Sequence, residues 1–181
     1  MALADSAELI RRFDAAEERV CVAFNRWSDY RSIRMFFAAV SRLGNGLFWY
    51  SWIFVLPAIF GATGSWRALQ MMATGAIGIA IYKWLKQRFV RERPYISHLR
   101  IRVGAAPLDR YSFPSGHTLH AVCYAILLTA YFPVLGWIVI PFAALVALSR
   151  VVLGLHYPTD VVVGAAIGAS LAMISMSVLP A

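Results

Sequence analysis

Five apolar stretches, at about residues 44–62, 68–85, 117–132, 134–152 and 160–179, dominate this chain of 181 residues. A helix that crosses a bilayer needs about 20 predominantly apolar residues, with about 17 as the lower edge. The stretches lie near that edge, so their helices are expected to extend into polar flanks. Charged residues make up 14% of the chain, against about 25% in an ordinary soluble domain. The reading is therefore all-α: a polytopic transmembrane bundle of about five spans, forming a single domain over residues 1–181. Six tryptophans and eight tyrosines are available as interfacial anchors. Pro57 and Pro141 are candidate kink positions inside two of the spans. Gly75 and Gly78 put small residues on a helical face, and the Gly164-x-x-x-Gly168 spacing favours close helix contact.

The segment before the first stretch reads differently. Over about residues 5–30, Leu9, Phe13, Ala16, Val20, Phe24 and Trp27 recur at helical spacing. Glu8, Arg11, Arg12, Glu18 and Arg19 fall mostly on other faces. This amphipathic helix is too charged to cross a bilayer, and is expected to lie along the interface or cover the side of the bundle. Charges throughout residues 1–20 also exclude a cleavable signal peptide there. Cys21 and Cys123 form no metal or redox spacing.

The formal charge of +8 points to partners as well as to place. A hydrophobic bundle offers no groove for a nucleic-acid duplex, so anionic headgroups and phosphorylated substrates are the partners expected. No obligate protein partner is indicated. The one long polar interval, residues 86–113, lies between two apolar spans and holds seven basic residues, Lys86, Arg88, Arg91, Arg93, Arg100, Arg102 and Arg110. Loops longer than about 12–15 residues are usually functional or disordered; this one is read as an active-site loop.

Three reactive clusters stand at the ends of apolar spans: Lys86 through Arg93-Pro94, Pro114-Ser115-Gly116-His117, and Ser149-Arg150 through His156 and Asp160. Alternating passage through a membrane returns all three to one face, because each interval between them contains an even number of crossings. That gathers Lys86, Arg93, Ser115, Gly116, His117, Arg150, His156 and Asp160 at one interface.

Such a set suits phosphoryl transfer. Lys86 supplies a point charge, and Arg93 and Arg150 supply planar forks for paired phosphate oxygens. Ser115 and Gly116 follow Pro114 into a first helical turn, whose free amides and dipole favour a phosphate. Asp160, in the first turn after Pro158, accepts the ring proton of His156 and leaves the opposite nitrogen free to attack phosphorus. His117 protonates the departing alkoxide and then activates water. His98 and His120 lack comparable companions and are read as structural, while Arg88, Arg91, Arg100 and Arg102 are read mostly as interface anchors. No metal or other cofactor is expected, since cationic side chains already occupy the role of magnesium.

At these residues the chain resembles the type 2 phosphatidic acid phosphatase (PAP2) superfamily. Its Lys-x6-Arg-Pro, Pro-Ser-Gly-His and Ser-Arg-x5-His-x3-Asp patterns are matched at positions 86–94, 114–117 and 149–160. The resemblance implies Lys86, Arg93, Ser115, Gly116 and Arg150 as phosphate ligands, His117 as general acid, His156 as nucleophile and Asp160 as its partner. It also implies a multi-pass protein of the bacterial inner membrane. Bacterial members typically have six spans, against five here plus the amphipathic segment.

The leading substrate expected is undecaprenyl pyrophosphate, with phosphatidylglycerol phosphate, phosphatidic acid and lipid A as alternatives. A soluble haloperoxidase has no need of five apolar spans; from another class, a lipid or ion transporter would also use a multispan bundle. The side of the membrane is drawn two ways. Relatives face the periplasm, yet of 17 lysines and arginines only Arg67 clearly lies opposite the clusters, which by the positive-inside rule argues for a cytoplasmic site.

Overall fold

In the computed structural model the described residues are 2–107 and 109–179, with side chains described from Glu8 onward except at position 10. The ends of the 1–181 domain range, and position 108 of the 86–113 interval, lie outside them. Seven α-helices follow in order: α1 Ala2–Asn25, α2 Arg31–Arg42, α3 Phe48–Arg88, α4 Pro94–Ser97, α5 Gly116–Tyr131, α6 Gly136–Val152 and α7 Pro158–Val178. Short helical turns at Arg26–Asp29, Leu43–Leu47 and Pro133–Leu135 join some of them, and there is no strand among the described residues.

The nominally continuous α3 is two antiparallel arms. At Gly61 the backbone leaves helical geometry (φ 55°, ψ −131°). A Cβ on Gly64 would lie 2.0 Å from the Leu56 carbonyl oxygen, whereas eight residues along a straight helix advance about 12 Å. The chain therefore doubles back. Residues 48–60 and 62–88 correspond to the first two apolar stretches, and the break expected near Pro57 falls at Gly61 instead. The remaining stretches become α5, α6 and α7, with α6 running through Pro141. By length and composition, the runs Arg31–Arg88, Pro133–Val152 and Pro158–Val178 are apolar enough to cross a membrane.

At 16 residues α5 is shorter than a usual span. It tolerates this because protein rather than lipid surrounds it. Leu119, Ala121, Cys123, Leu127 and Leu128 are almost completely buried. Tyr124 meets Trp49 of the first arm, with ring centroids 5.7 Å apart. On the other side α7 runs parallel to α5 at backbone contact. Cβ atoms on Gly164 and Gly168 would lie 2.6 and 2.2 Å from the carbonyl oxygens of Ser115 and Leu119. The Gly-x-x-x-Gly spacing thus seats α7 on α5. Outer positions such as Phe54, Ile59, Trp66, Ile77, Trp137 and Met173 are exposed, as a lipid-facing surface requires.

The two ends of the bundle differ in chemistry. Arg67 and Lys86 lie 19 residues apart on one arm of α3, or about 28 Å along a helix, close to the hydrocarbon thickness of a bilayer. At the Arg67 end its guanidinium stacks over the Tyr131 ring at 3.7 Å and donates to Gln70 Oε1 at 3.0 Å. Gln70 Nε2 in turn donates to Ser175 Oγ at 3.0 Å, joining α3 to α7.

At the Lys86 end, α1 caps the bundle with its polar face. Leu9, Phe13, Val20 and Trp27 are exposed, while Glu17, Cys21 and Asn25 are buried. The reason is hydrogen bonding. The last carbonyls of a helix lack intrahelical donors, and Asn25 Nδ2 donates 2.9 Å bonds to Val152 and Arg102 carbonyls. Glu17 Oε1 accepts from the Thr159 amide (2.9 Å) and hydroxyl (2.6 Å) at the start of α7, where the helix dipole favours an anion. The polar face therefore docks, and Leu9, Phe13 and Val20, within about 40° of one another around α1, are left facing outward.

The α5–α7 contact yields a direct test. Gly168→Val should lower the melting temperature in detergent, with a cost of about 1–3 kcal/mol from overpacking, because Leu119 backbone cannot yield. A melting temperature within 1–2 °C of the parent, on the order of the smallest shifts such a cost produces, would contradict this packing.

Candidate active site

One helix ending builds the third cluster. Helix α6 stops at Val152, and Gly154 takes a left-handed conformation (φ 71°). The Gly154 amide donates to the Val151 carbonyl (2.9 Å) and the Leu155 amide to the Arg150 carbonyl (3.0 Å). This is a Schellman ending, which needs positive φ and therefore favours glycine. The His156 amide also donates to the Arg150 carbonyl, at 3.1 Å. The turn folds His156 back over Arg150.

Pro158 then opens α7, and Asp160 Oδ2 accepts the Tyr157 amide at 2.9 Å. Asp160 is completely buried. His156 Nδ1 lies 3.5 Å from Asp160 Oδ2 and has no hydrogen-bond partner, so the pair is in contact but not bonded in this state. The opposite nitrogen, Nε2, lies 3.3 Å from Arg93 Nη1. Arginine can only donate; Nε2 is therefore the bare nitrogen and Nδ1 carries the proton. Burial, reinforced by the cations of Arg150, Arg93 and Lys86, holds the His156 pKa well below the usual imidazole value. The ring is neutral.

The second cluster enters from α5. Ser115 is the helix N-cap: its Oγ lies 2.9 Å from Thr118 Oγ1 and accepts the Thr118 amide at 3.4 Å. Its own amide donates to the Asp160 carbonyl at 3.0 Å, fastening the starts of α5 and α7 together. The amides of Gly116 and His117, in the first turn, have no intrahelical acceptor.

The first cluster comes from the end of α3. Lys86 Nζ donates to Asp109 Oδ1 and to the Tyr111 carbonyl, both at 2.8 Å. Arg93 is fully buried and donates to the Leu155 carbonyl at 2.7 Å and to Asp109 Oδ1 at 2.7 Å. Arg150 is equally buried; its Nη1 donates to Ser41 Oγ of α2, and its Nε has no partner.

One polar cavity of about 120 Å³ brings these groups together. Lys86, Arg93, Gly116, His117, Arg150 and His156 all line it, with an aromatic wall of Trp49, Tyr50, Tyr82 and Tyr124. Of the eight residues singled out in the sequence, six line it directly. Ser115 and Asp160 stand behind it, as helix cap and as neighbour of His156. No cluster of metal-ligating side chains occurs among the described residues.

Three participants escaped the sequence reading. Arg91 is no interface anchor: its Nη1 donates to Asp160 Oδ1 at 2.9 Å, its Nη2 to Glu17 Oε2, and it stacks 3.9 Å over the Tyr157 ring. Asp160 therefore serves an arginine as well as the histidine. Glu17 was assigned to no site because it lies in α1, which seemed separate. Asp109 gave no signal beyond its position in the long polar interval. Of the two remaining histidines, His120 lines the same cavity, its nitrogens 2.8 and 3.2 Å from the Gly116 and Gly75 carbonyls, and His98 packs edge-on to Tyr157.

Known proteins resemble the chain in sequence and in fold. The decaprenylphosphoryl-5-phosphoribose phosphatase of Mycolicibacterium smegmatis is 42% identical over 102 residues, covering 55% of this chain and 52% of that protein. The undecaprenyl-diphosphatase BcrC of Bacillus subtilis is 31% identical over 113 residues, covering 62% and 58%. The match thus spans little more than half the length of these relatives. The crystal structure of a transmembrane PAP2 type phosphatidylglycerolphosphate phosphatase from Bacillus subtilis superposes with a TM-score of 0.74 at 27% identity, covering 92% of this chain and 86% of that one. Residues 64–181 match the sequence profile of the PAP2 superfamily, and the chain belongs to that family.

Proposed function

We propose that this chain is a membrane lipid phosphatase that works through a phosphohistidine on His156. The observation that carries the reading is the convergence of three cations, the first turn of α5 and three imidazoles, those of His117, His120 and His156, on one cavity, with the bare Nε2 of His156 beside it. Nε2 attacks phosphorus as the bond from phosphorus to the leaving-group oxygen breaks, and His117 gives its proton to that departing oxygen. Water then attacks the phosphohistidine; His117 takes its proton, and phosphate leaves. Lys86, Arg93, Arg150 and the amides of Gly116 and His117 hold the equatorial oxygens. Ser115 fixes the helix start that presents those amides, and Asp160 orients the nucleophile. With cations in these places the reaction needs no metal ion. All of this resides in one domain.

The substrate proposed is a polyprenyl-linked phosphate. Undecaprenyl diphosphate remains the leading candidate, in keeping with the BcrC relative. Decaprenylphosphoryl 5-phosphoribose is the second reading, favoured by the 42% identity to a phosphatase of that name.

The bundle is placed in the bacterial inner membrane with its site toward the periplasm. Part of the arginine excess on that face has structural employment: Arg91, Arg93 and Arg150 are bonded within the site, and Arg34 donates to the Ser28 carbonyl.

Phosphate release from purified protein in detergent, without added metal, should fall at least about 10³-fold in His156→Ala with its melting temperature kept. Near-normal turnover would exclude this nucleophile. His117→Ala should lose about 10²–10⁴-fold on a lipid phosphomonoester, whose leaving group is an alkoxide, and much less on an activated aryl phosphate; equal losses on these two would remove its acid role.

The neutral state of His156 has its own readout. In an NMR titration of ¹⁵N-histidine-labelled protein, the resonance missing from His156→Ala should stay neutral as the pH falls through about 6.5, where an unperturbed histidine protonates. The unfolded chain binds that proton first, so the site costs stability on acidification. A midpoint at or above 6.5 would refute the burial argument.

Sidedness is read with Leu99→Cys, at a fully exposed loop position, since both native cysteines are buried. A membrane-impermeant thiol reagent should label it in intact spheroplasts. Labelling only after lysis would put the site in the cytoplasm.

A further inference from the structure

Asp109 bridges two of the cations that line the cavity. Its Oδ1 accepts from both Lys86 Nζ (2.8 Å) and Arg93 Nη2 (2.7 Å), and its backbone carbonyl accepts from Arg93 Nε at 3.0 Å. Two cations meeting on one anionic oxygen is the arrangement a phosphoryl group would create there. Asp109 lines the cavity with His117, Arg150 and His156. Burial tends to raise its pKa, but the bonds from Lys86 and Arg93 outweigh this and hold it below the usual carboxylate range. The plug is charged.

The loop that carries it is tied down at both ends. On one side the Gly104 amide is bonded to the Leu153 carbonyl (3.0 Å), and on the other the Ser112 amide to the Arg91 carbonyl (2.8 Å). Between them, among the described residues 105–107 and 109–111, the hydrogen bonds run through Asp109 and the Tyr111 carbonyl. The Asp109 side chain keeps 39% of its surface exposed, so it stands at the mouth of the cavity with solvent behind it.

We propose that Asp109 is a displaceable internal anion that sets which lipid phosphates enter the site. The proposal rests on the phosphatase reading. A bilayer surface is crowded with phosphodiester headgroups, each carrying one negative charge on two free oxygens. A terminal phosphoryl group carries about 1.5 to 2 negative charges on three oxygens at neutral pH. To enter, a phosphate must out-compete a carboxylate already held by two charge-assisted bonds. A terminal phosphoryl group can exceed that; a diester at best equals it. Asp109 thereby screens the site against the ordinary lipids around it, and reseats when inorganic phosphate leaves.

The test measures anion affinity in the full-length protein in detergent micelles, for the parent, Asp109→Asn, Asp109→Ala and Asp109→Glu. Inorganic phosphate binding is followed by calorimetry, which needs no turnover. Inhibition of phosphate release by phosphatidylglycerol, a diester, is followed in parallel. Asn and Ala should each bind inorganic phosphate about tenfold or more tightly than the parent, and phosphatidylglycerol should become an inhibitor. Glu, which keeps the charge, should stay close to the parent.

Unchanged or weaker phosphate binding in Asp109→Asn, with the parent melting temperature, would overturn the proposal and make Asp109 a support for its two cations. Asn is nearly isosteric and serves if Ala fails to fold. Tighter binding in a protein that hydrolyses no lipid phosphate would sink the phosphatase reading while leaving the anion site. Normal hydrolysis with unaltered binding would sink the screening role alone.

Discussion

The site depends on one backbone contact. Helices α5 and α7 begin side by side, joined by the Ser115 amide and the Asp160 carbonyl, and stay at backbone distance because Gly164 and Gly168 offer no side chain. That contact lays the Pro-Ser-Gly-His turn against the His-x3-Asp turn. Each turn is well formed locally, one by the Ser115 cap and one by the carboxylate of Asp160. Helix packing therefore decides how far apart the two turns lie.

Around this contact the protein concentrates positive charge where it is costly to bury. Three remedies are visible. Arg93 is spread over the Leu155 carbonyl and Asp109. Arg150 is held by Ser41. Arg91 shares Glu17 and Asp160. The acidic residues of the site neutralise cations: Asp109 bridges Lys86 and Arg93, and Asp160 is bonded to Arg91 with only a contact to His156.

Much of this was legible in the sequence, because two kinds of information there are local. Apolar runs located the helical segments, and the fixed spacings of Lys86–Arg93 and Arg150–His156 encode single turns and helix ends. What was not legible depends on non-local pairing. The inner face of α1 could not be chosen by hydrophobicity, since the polar residues Glu17 and Asn25 dock to satisfy helix ends far along the chain. The rule that buries the apolar face assumes water outside; here the apolar side has lipid to meet. Arg91 looked like its exposed neighbours Arg88 and Arg100, because nothing local distinguishes an arginine that will find a buried carboxylate 69 positions away. Asp109 belongs to no periodic element, so its position above Lys86 and Arg93 emerges from loop geometry alone.

The Schellman ending of α6 has a consequence for how such a protein can vary. Arg150 and His156 are joined by one wound piece of main chain, stitched by three amide bonds to the Arg150 and Val151 carbonyls. Their relation is that of two points on a single rigid part. Inserting one residue in that segment would swing the imidazole by about 100°, whereas an equal insertion in the turn before α6 would leave the part intact. The segment is thus a gauge block: its length is fixed by helix winding, and the surrounding helices are free to diverge around it.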